Sequence, residues 1–168
     1  MLKCAIVGVT GLVGSTFLKV LEERNLSNLE YSLFASKKSK GKKIIFMDKE
    51  YIVKELTEKS FIDEKYDYAL FSAGSSVSSK YAPLAAKTGC IVIDNSSAFR
   101  MEKDVPLVVP EVNMEDAYNN KGIISNPNCS TIQAVIPINI LNKYYTVKRI
   151  VYTTFQAVSG AGIKDLKI

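Results

Sequence analysis

KCAIVGVTGLVG, residues 3–14, is the stretch that decides the fold. Residues 3–7 form a short apolar, β-branched run that reads as a strand. Residues 12–23 place Leu12, Val13, Phe17, Leu18, Val20 and Leu21 at helical spacing. Between the two lie Gly8, Gly11 and Gly14, spaced G-x-x-G-x-x-G with Thr10 in the gap. A dinucleotide pyrophosphate requires this placement. Glycines let the chain turn tightly and bring backbone N–H groups close to the anion, which sits on the positive end of the helix dipole. A glycine-rich turn is common by itself, so the strand–loop–helix setting carries the inference. Gly8, Thr10, Gly11, Leu12, Val13 and Gly14 are therefore candidate cofactor-binding residues.

Outward from this loop the strand–helix–strand pattern repeats. Residues 31–35 read as a second strand, and 44–46 and 51–56 as a strand pair joined by a polar turn over 47–50. Residues 68–72 form an apolar strand, 76–88 a helix that Gly89 ends, and 90–93 another buried strand before the loop 94–100. Shorter strands are expected at 107–109 and 123–125, then a helix over 131–143 that Pro137 should kink or break. Strands apolar on both faces and alternating with helices argue for an α/β fold with a parallel sheet covered on both sides. The final pattern, 148–158, alternates like a long strand, and the sequence ends at Ile168. The division expected is a dinucleotide-binding domain over 1–147, with 148–168 opening a second unit. If that last strand stands unpaired, Ile150, Val151 and Phe155 are left open and favour self-association.

Composition sets the outer bounds. The 168 residues are 47% apolar and 23% charged, as in an ordinary globular domain. No apolar run is long enough to span a membrane, and the first residues lack the order of a signal peptide. The expectation is a cytoplasmic protein with no membrane partner. Histidine is absent, and the three cysteines (Cys4, Cys90 and Cys129) form no C-x-x-C pair, which disfavours a structural zinc. Cys4 and Cys90 sit in apolar runs and read as small core residues.

The net charge of +5 is concentrated in SKKSKGKK, residues 36–43, with five lysines in eight positions. Such a loop is often plain solvated surface. Nucleic-acid binding is disfavoured because no aromatic residue or accompanying motif supports it. Its place after the second strand gives a third reading. An NAD-specific site carries an acid there for the ribose hydroxyls, whereas Ser36, Lys37 and Lys38 offer a hydroxyl and ammonium groups suited to a 2′-phosphate, favouring NADP. Which lysine makes the contact stays open. Ser72, Ala73 and Gly74 end the next core strand on the same edge. They are small enough for a nicotinamide ribose to approach, though a tight turn before a helix explains them equally.

NPNCST, residues 126–131, follows a short strand and precedes a helix. Asn128 or Ser130 can cap that helix. Cys129 then sits at its N-terminus, where the dipole and free N–H groups favour a thiolate. A structural cysteine at a helix start is the plain alternative. Near a nucleotide-binding edge, the chemistry indicated is attack on an aldehyde, hydride loss to a nicotinamide, and cleavage of the thioacyl enzyme by phosphate. N–H groups at the helix start would stabilise the oxyanion.

Five motifs occur in order: GVTGLVG, DNSSAFR (residues 94–100), PEVN (110–113), NPNCST and FQAVSGAG (155–162). Together they resemble the aspartate-semialdehyde dehydrogenase family along essentially the whole chain. N-acetyl-glutamyl-phosphate reductase is the nearest alternative, but its cysteine stands in a C-Y-P-T context, whereas Ser130 and Thr131 follow Cys129 here. The resemblance implies a Rossmann-like, doubly wound, mostly parallel sheet that stops before an α+β catalytic and dimerisation domain. It implies NADPH-dependent reduction of 4-aspartyl phosphate to L-aspartate 4-semialdehyde with release of phosphate, or the reverse, in lysine, threonine and methionine biosynthesis. Cys129 would be the nucleophile and Asn128 would shape the oxyanion site. Arg100 would bind phosphate and Gln156 would position the substrate. Ser159 and Gly160 would line the nicotinamide end, with Asn95 between phosphate and cofactor.

One departure limits these implications. The family's proton-transferring histidine and its arginine for the amino-acid carboxylate come from a second half of the chain, and this sequence has no histidine. The helix that returns to cover the sheet is missing as well. The expectation is a fragment acting at most as a nucleotide-binding module, with the homo-oligomeric state belonging to the full-length form.

Overall fold

The computed structural model describes residues 1–155. Strands β1 (Lys3–Val7) and β2 (Glu30–Ala35) precede a hairpin of β3 (Lys43–Phe46) and β4 (Lys49–Ile52), and β5 (Lys54–Glu55), β6 (Tyr68–Phe71), β7 (Ile91–Asp94) and β8 (Ile123–Ser125) follow. The helices are α1 (Leu12–Glu23), α2 (Ser75–Lys87), the single turn α3 (Pro110–Asn113) and α4 (Cys129–Tyr145). Six strands form one sheet in the order β5-β2-β1-β6-β7-β8, and every pair is parallel. Ranked along the chain these are strands 3-2-1-4-5-6, the doubly wound dinucleotide-binding order. The winding reverses between β1 and β6, which opens a crevice at their carboxyl ends.

Both sheet faces are buried, for a reason visible in β1. Alternate side chains point to opposite faces. Cys4 and Ile6 pack with Leu18 of α1, Leu33 and Phe46. Ala5 and Val7 pack on the other face with Phe34, Phe61, Phe71 and the α2 residues Ala82 and Ala85. With α1 on one face and α2 on the other, most positions of the central strands are buried. The near-continuous apolar reading of β1, β2 and β6 follows from that.

Several expectations need correction. The turn of the hairpin is only Met47-Asp48, both at positive φ (50° and 58°), the two-residue geometry that matches strand twist. Its partner strand does not run through 51–56. Val53 turns into the core, and Lys54–Glu55 leaves the hairpin to pair in parallel with β2. The crossover from β2 to β5 is thus a hairpin in place of a helix, held to α1 by Met47 N–H donating to Glu22 Oε1 at 2.6 Å. Residues 107–109 make a single bridge, Leu107 to Ser125, and no strand. Pro110 starts α3 there, with Asn113 Oδ1 accepting from Val109 N at 2.8 Å.

The last helix begins at Cys129, two residues earlier than expected, and passes through Pro137 without interruption. Gln133, whose carbonyl loses its donor to the proline ring, is an exposed residue. Residues 148–155 carry no strand. They find no ladder among the described residues, and Val151 and Phe155 are open to solvent at 75% and 101% relative exposure.

Candidate active site

Because all six strands run the same way, the segments that follow β1, β2, β6, β7 and β8 emerge on one edge. That edge is tied together by a series of N–H groups, each donating to a carbonyl near the end of the neighbouring strand. Leu56 donates to Ala35, Gly8 to Phe34, Ser72 to Val7 and Asn95 to Phe71, each at 2.9 Å, and Asn126 donates to Asp94 at 2.8 Å. The glycine loop, the lysine loop, Ser72–Gly74, the 95–100 loop and the approach to Cys129 therefore hang from one continuous frame.

The glycine loop is packed too closely for side chains at two of its glycines. Gly8 stands at φ +88°, and a Cβ there would come 2.8 Å from the carbonyl carbon of Ser72. A Cβ on Gly14 would collide with the carbonyl oxygen of Gly8. Gly11 caps α1 with no side-chain bond, so the first-turn amides of Leu12, Val13 and Gly14 are left without an intrahelical acceptor. Thr10 Oγ1 and Ser39 Oγ lie 3.3 Å apart and join this loop to the lysine loop, whose residues Lys37–Ser39 form one 3-10 turn. Lys40 pairs with Glu55 and Lys43 with Glu50. Lys37 and Lys38 have no carboxylate partner among the described residues, and with Ser36 they are exposed beside the loop. Ser39 was not singled out from the sequence; it is the buried hydroxyl that meets Thr10, and only the 3-10 turn brings it there.

Ser72 donates its hydroxyl to Val7 O at 3.2 Å, and Gly74, also at φ +88°, caps α2. Ser75 and Ser97 hydroxyls lie 2.8 Å apart, which links the start of α2 to the 95–100 loop. In that loop Arg100 is half-buried. Its Nε donates to Asn126 O at 3.0 Å and its Nη2 to Asn95 O at 3.1 Å. Asn126 Nδ2 donates to Asn95 Oδ1 at 2.6 Å, closing the triangle. A guanidinium carries five N–H groups, so three donors of Arg100 have no acceptor among the described residues. Asn126 had no role assigned from sequence, although it lies in the quoted motif.

Asn128 is the cap of α4: its Oδ1 accepts from Ser130 N at 3.0 Å. Its main-chain carbonyl accepts from Ile132 N at 3.0 Å. The N–H groups of Cys129 and Thr131 have no protein acceptor among the described residues, and the Cys129 side chain is exposed. The other two thiols are inside, and burial pushes Cys4 and Cys90 up to about 12. Cys129 is thus the cysteine available to a substrate. Gln156, Ser159 and Gly160 lie outside the described residues. No helix among the described residues is long and apolar enough to cross a membrane.

Comparison with known proteins places this geometry. Residues 3–120 match the family model of the semialdehyde dehydrogenase NAD-binding domain. An aspartate-semialdehyde dehydrogenase of Aquifex aeolicus is 57% identical over 171 residues, covering 98% of this chain and 50% of that protein. Aspartate semialdehyde dehydrogenase II from Vibrio cholerae, solved in complex with ASA, superposes with a TM-score of 0.92 at 44% identity, over 99% of this chain and 49% of its own. The Candida albicans enzyme solved with NADP has a TM-score of 0.71 at 26% identity, covering 88% of this chain and 48% of its own. The chain spans about half the length of the curated relatives it matches.

Proposed function

This chain belongs to the semialdehyde dehydrogenase family, with aspartate-semialdehyde dehydrogenases as its relatives, and we propose that the whole protein is an NADP-dependent aspartate-semialdehyde dehydrogenase. In this reading residues 1–147 are the dinucleotide-binding domain and 148–168 open the catalytic domain. The observation that carries it is the single sheet edge from which a close-packed glycine loop, an arginine with donors unpaired among the described residues and a helix-start thiol all hang.

Each residue then has a task. Gly8, Thr10, Gly11 and the first-turn amides of Leu12, Val13 and Gly14 hold the pyrophosphate, and Ser36, Lys37 and Lys38 hold the 2′-phosphate. A nicotinamide bound along this edge supplies the hydride exchange between the aldehyde and acyl levels. The Cys129 sulfur bonds to the aldehyde carbon, and the resulting oxyanion takes the free N–H groups of Cys129 and Thr131. The Asn128 amide N–H₂, whose oxygen is committed to the cap, is a further donor. Arg100 holds phosphate, whose oxygen displaces the sulfur from the thioacyl carbon, giving 4-aspartyl phosphate and the free thiol. With no histidine in the sequence, the group that moves protons comes from another part of the whole protein. The protein is assigned to the cytoplasm, and its full-length form to a homo-oligomer.

The test is turnover of L-aspartate 4-semialdehyde with NADP⁺ and phosphate by the whole protein, with N-acetyl-glutamate semialdehyde in parallel. Preference for the N-acetylated homologue would replace the substrate assignment, and turnover by a Cys129→Ser variant would overturn the thioacyl chemistry. NADPH and NADH titrations of the 168-residue chain test whether the cofactor site is complete in it. Binding without turnover would fit a nucleotide-binding module, which the missing histidine favours for the chain alone.

A further inference from the structure

Asp94 ends β7 with 0% exposure, yet none of the described lysines or arginines pairs with it. Its carboxyl is met entirely by hydrogen bonds. Oδ1 accepts from Ser78 Oγ of α2 at 2.6 Å and from Ser96 N at 3.2 Å, while Oδ2 accepts from Ser96 Oγ at 2.6 Å. Ser96, itself only 8% exposed, accepts in turn from Ala98 N at 3.1 Å. A carboxyl group buried without a cation is costly, and an apolar residue would close this end of the core at no such cost. The arrangement makes sense as a device for shaping the loop that follows.

We propose that Asp94 is a positioning residue for Arg100, acting through Ser96; the proposal rests on the reading of Arg100 as the phosphate contact. The chain of contacts is continuous. Helix α2 fixes Asp94 through Ser78. Asp94 then fixes both the N–H and the hydroxyl of Ser96, and Ser96 fixes Ala98. The loop so bent returns the Arg100 guanidinium to Asn95 O and Asn126 O. The main chain of Asp94 also receives Asn126 N–H at 2.8 Å. One buried residue thereby registers the arginine against the segment that leads to Cys129. Hydrogen bonds to a charged group are among the stronger side-chain contacts, and loosening this relay leaves the arginine attached but poorly aimed.

The experiment measures inorganic phosphate affinity by ³¹P line broadening, NADPH affinity by fluorescence, and Tm, on the whole protein. Wild type is compared with Ser96→Ala, Asp94→Asn and Arg100→Ala. Ser96→Ala keeps the Asp94–Ser78 bond and the main-chain N–H contact at residue 96 and removes only the hydroxyl's links to Asp94 and Ala98, so it remains informative if Asp94→Asn fails to fold. The expected result for Ser96→Ala is phosphate binding weakened about tenfold with NADPH affinity within about twofold of wild type. A residue with a merely structural role would lower Tm and weaken both ligands alike, and that outcome overturns the proposal. Wild-type phosphate affinity in Ser96→Ala, with Arg100→Ala weakened, would overturn it while sparing the reading of Arg100. Undiminished phosphate binding in Arg100→Ala would remove that reading and the proposal together.

Discussion

Replacing Gly8 by alanine isolates the close approach on which the nucleotide crevice depends. The residue sits at φ +88°, and its new Cβ would lie 2.8–2.9 Å from three main-chain atoms of Ser72 and Ala73. Adopting a left-handed conformation costs a residue other than glycine about 1–2 kcal/mol. Forcing backbone segments apart in a packed region adds about 1–3 kcal/mol. The sum, about 3 kcal/mol, corresponds to a fall in Tm of about 10 °C for a chain of this size. Gly74 supplies the control. It has the same φ of +88°, but a Cβ there meets nothing within 4 Å. Gly74→Ala therefore carries only the conformational cost of a positive-φ residue with extended ψ (162°), about 2 kcal/mol and about 6 °C. The loss of unfolded-state freedom on gaining a methyl is common to both variants and cancels between them. Thermal unfolding followed by circular dichroism measures the pair. Equal shifts in the two variants would refute the crowding argument, and with it the claim that Gly8 lies too close to Ser72–Ala73 for any side chain.

Three further outcomes are expected. Glu64 accepts from the Tyr66 hydroxyl, Lys3 and Lys54, and chiefly the Tyr66 bond holds its carboxyl at about 2 against an ordinary 4.5. Its stabilising contribution is present above about pH 4.5 and is lost as the pH falls towards 2. Discounted for the screening of a partly exposed network it is about 1 kcal/mol, so Tm measured from pH 6 to 3 should fall less in Glu64→Gln than in wild type. Brief treatment of the native chain with iodoacetamide should label Cys129 alone, since Cys4 and Cys90 are buried and held as thiols, and mass mapping would show label at either if that is wrong. The double variant Lys37→Ala, Lys38→Ala should bind NADPH about tenfold more weakly and NADH unchanged. Equal losses for both would take the 2′-phosphate away from this loop.

What could be read from the sequence was what local pattern determines. The strand 3–7 and helix 12–23 have the same bounds in the structure, because an apolar run, a glycine turn and helical spacing all lie within one window. Pairing partners do not. Nothing local says that Lys54 and Glu55 desert the hairpin for β2, since the deciding event is the burial of Val53 among residues distant in sequence. The start of α4 was hidden by adjacent capping candidates, and the Asn128 side chain chose between them. Asp94 read as the first residue of a loop; its neighbour Ser96 is local, but its buried partner Ser78 is joined to it only by the packing of α2. The candidate residues themselves were legible as motifs, whereas the contacts that aim them, through Ser39, Ser78 and Asn126, are tertiary.

The ladder of N–H groups along the carboxyl edge also makes the sheet a ruler. Three strand steps separate β1, which carries the phosphate loop, from β8, which leads to the thiol. At about 4.8 Å per step that is roughly 14 Å of lateral offset, turned by about 70° of accumulated twist. Changes of loop length alter what is presented at each mark without moving the marks. A ligand anchored at the glycine loop can bring its far end to Cys129 only if its own length suits that interval, so the strand count selects for reach before any side chain selects for chemistry.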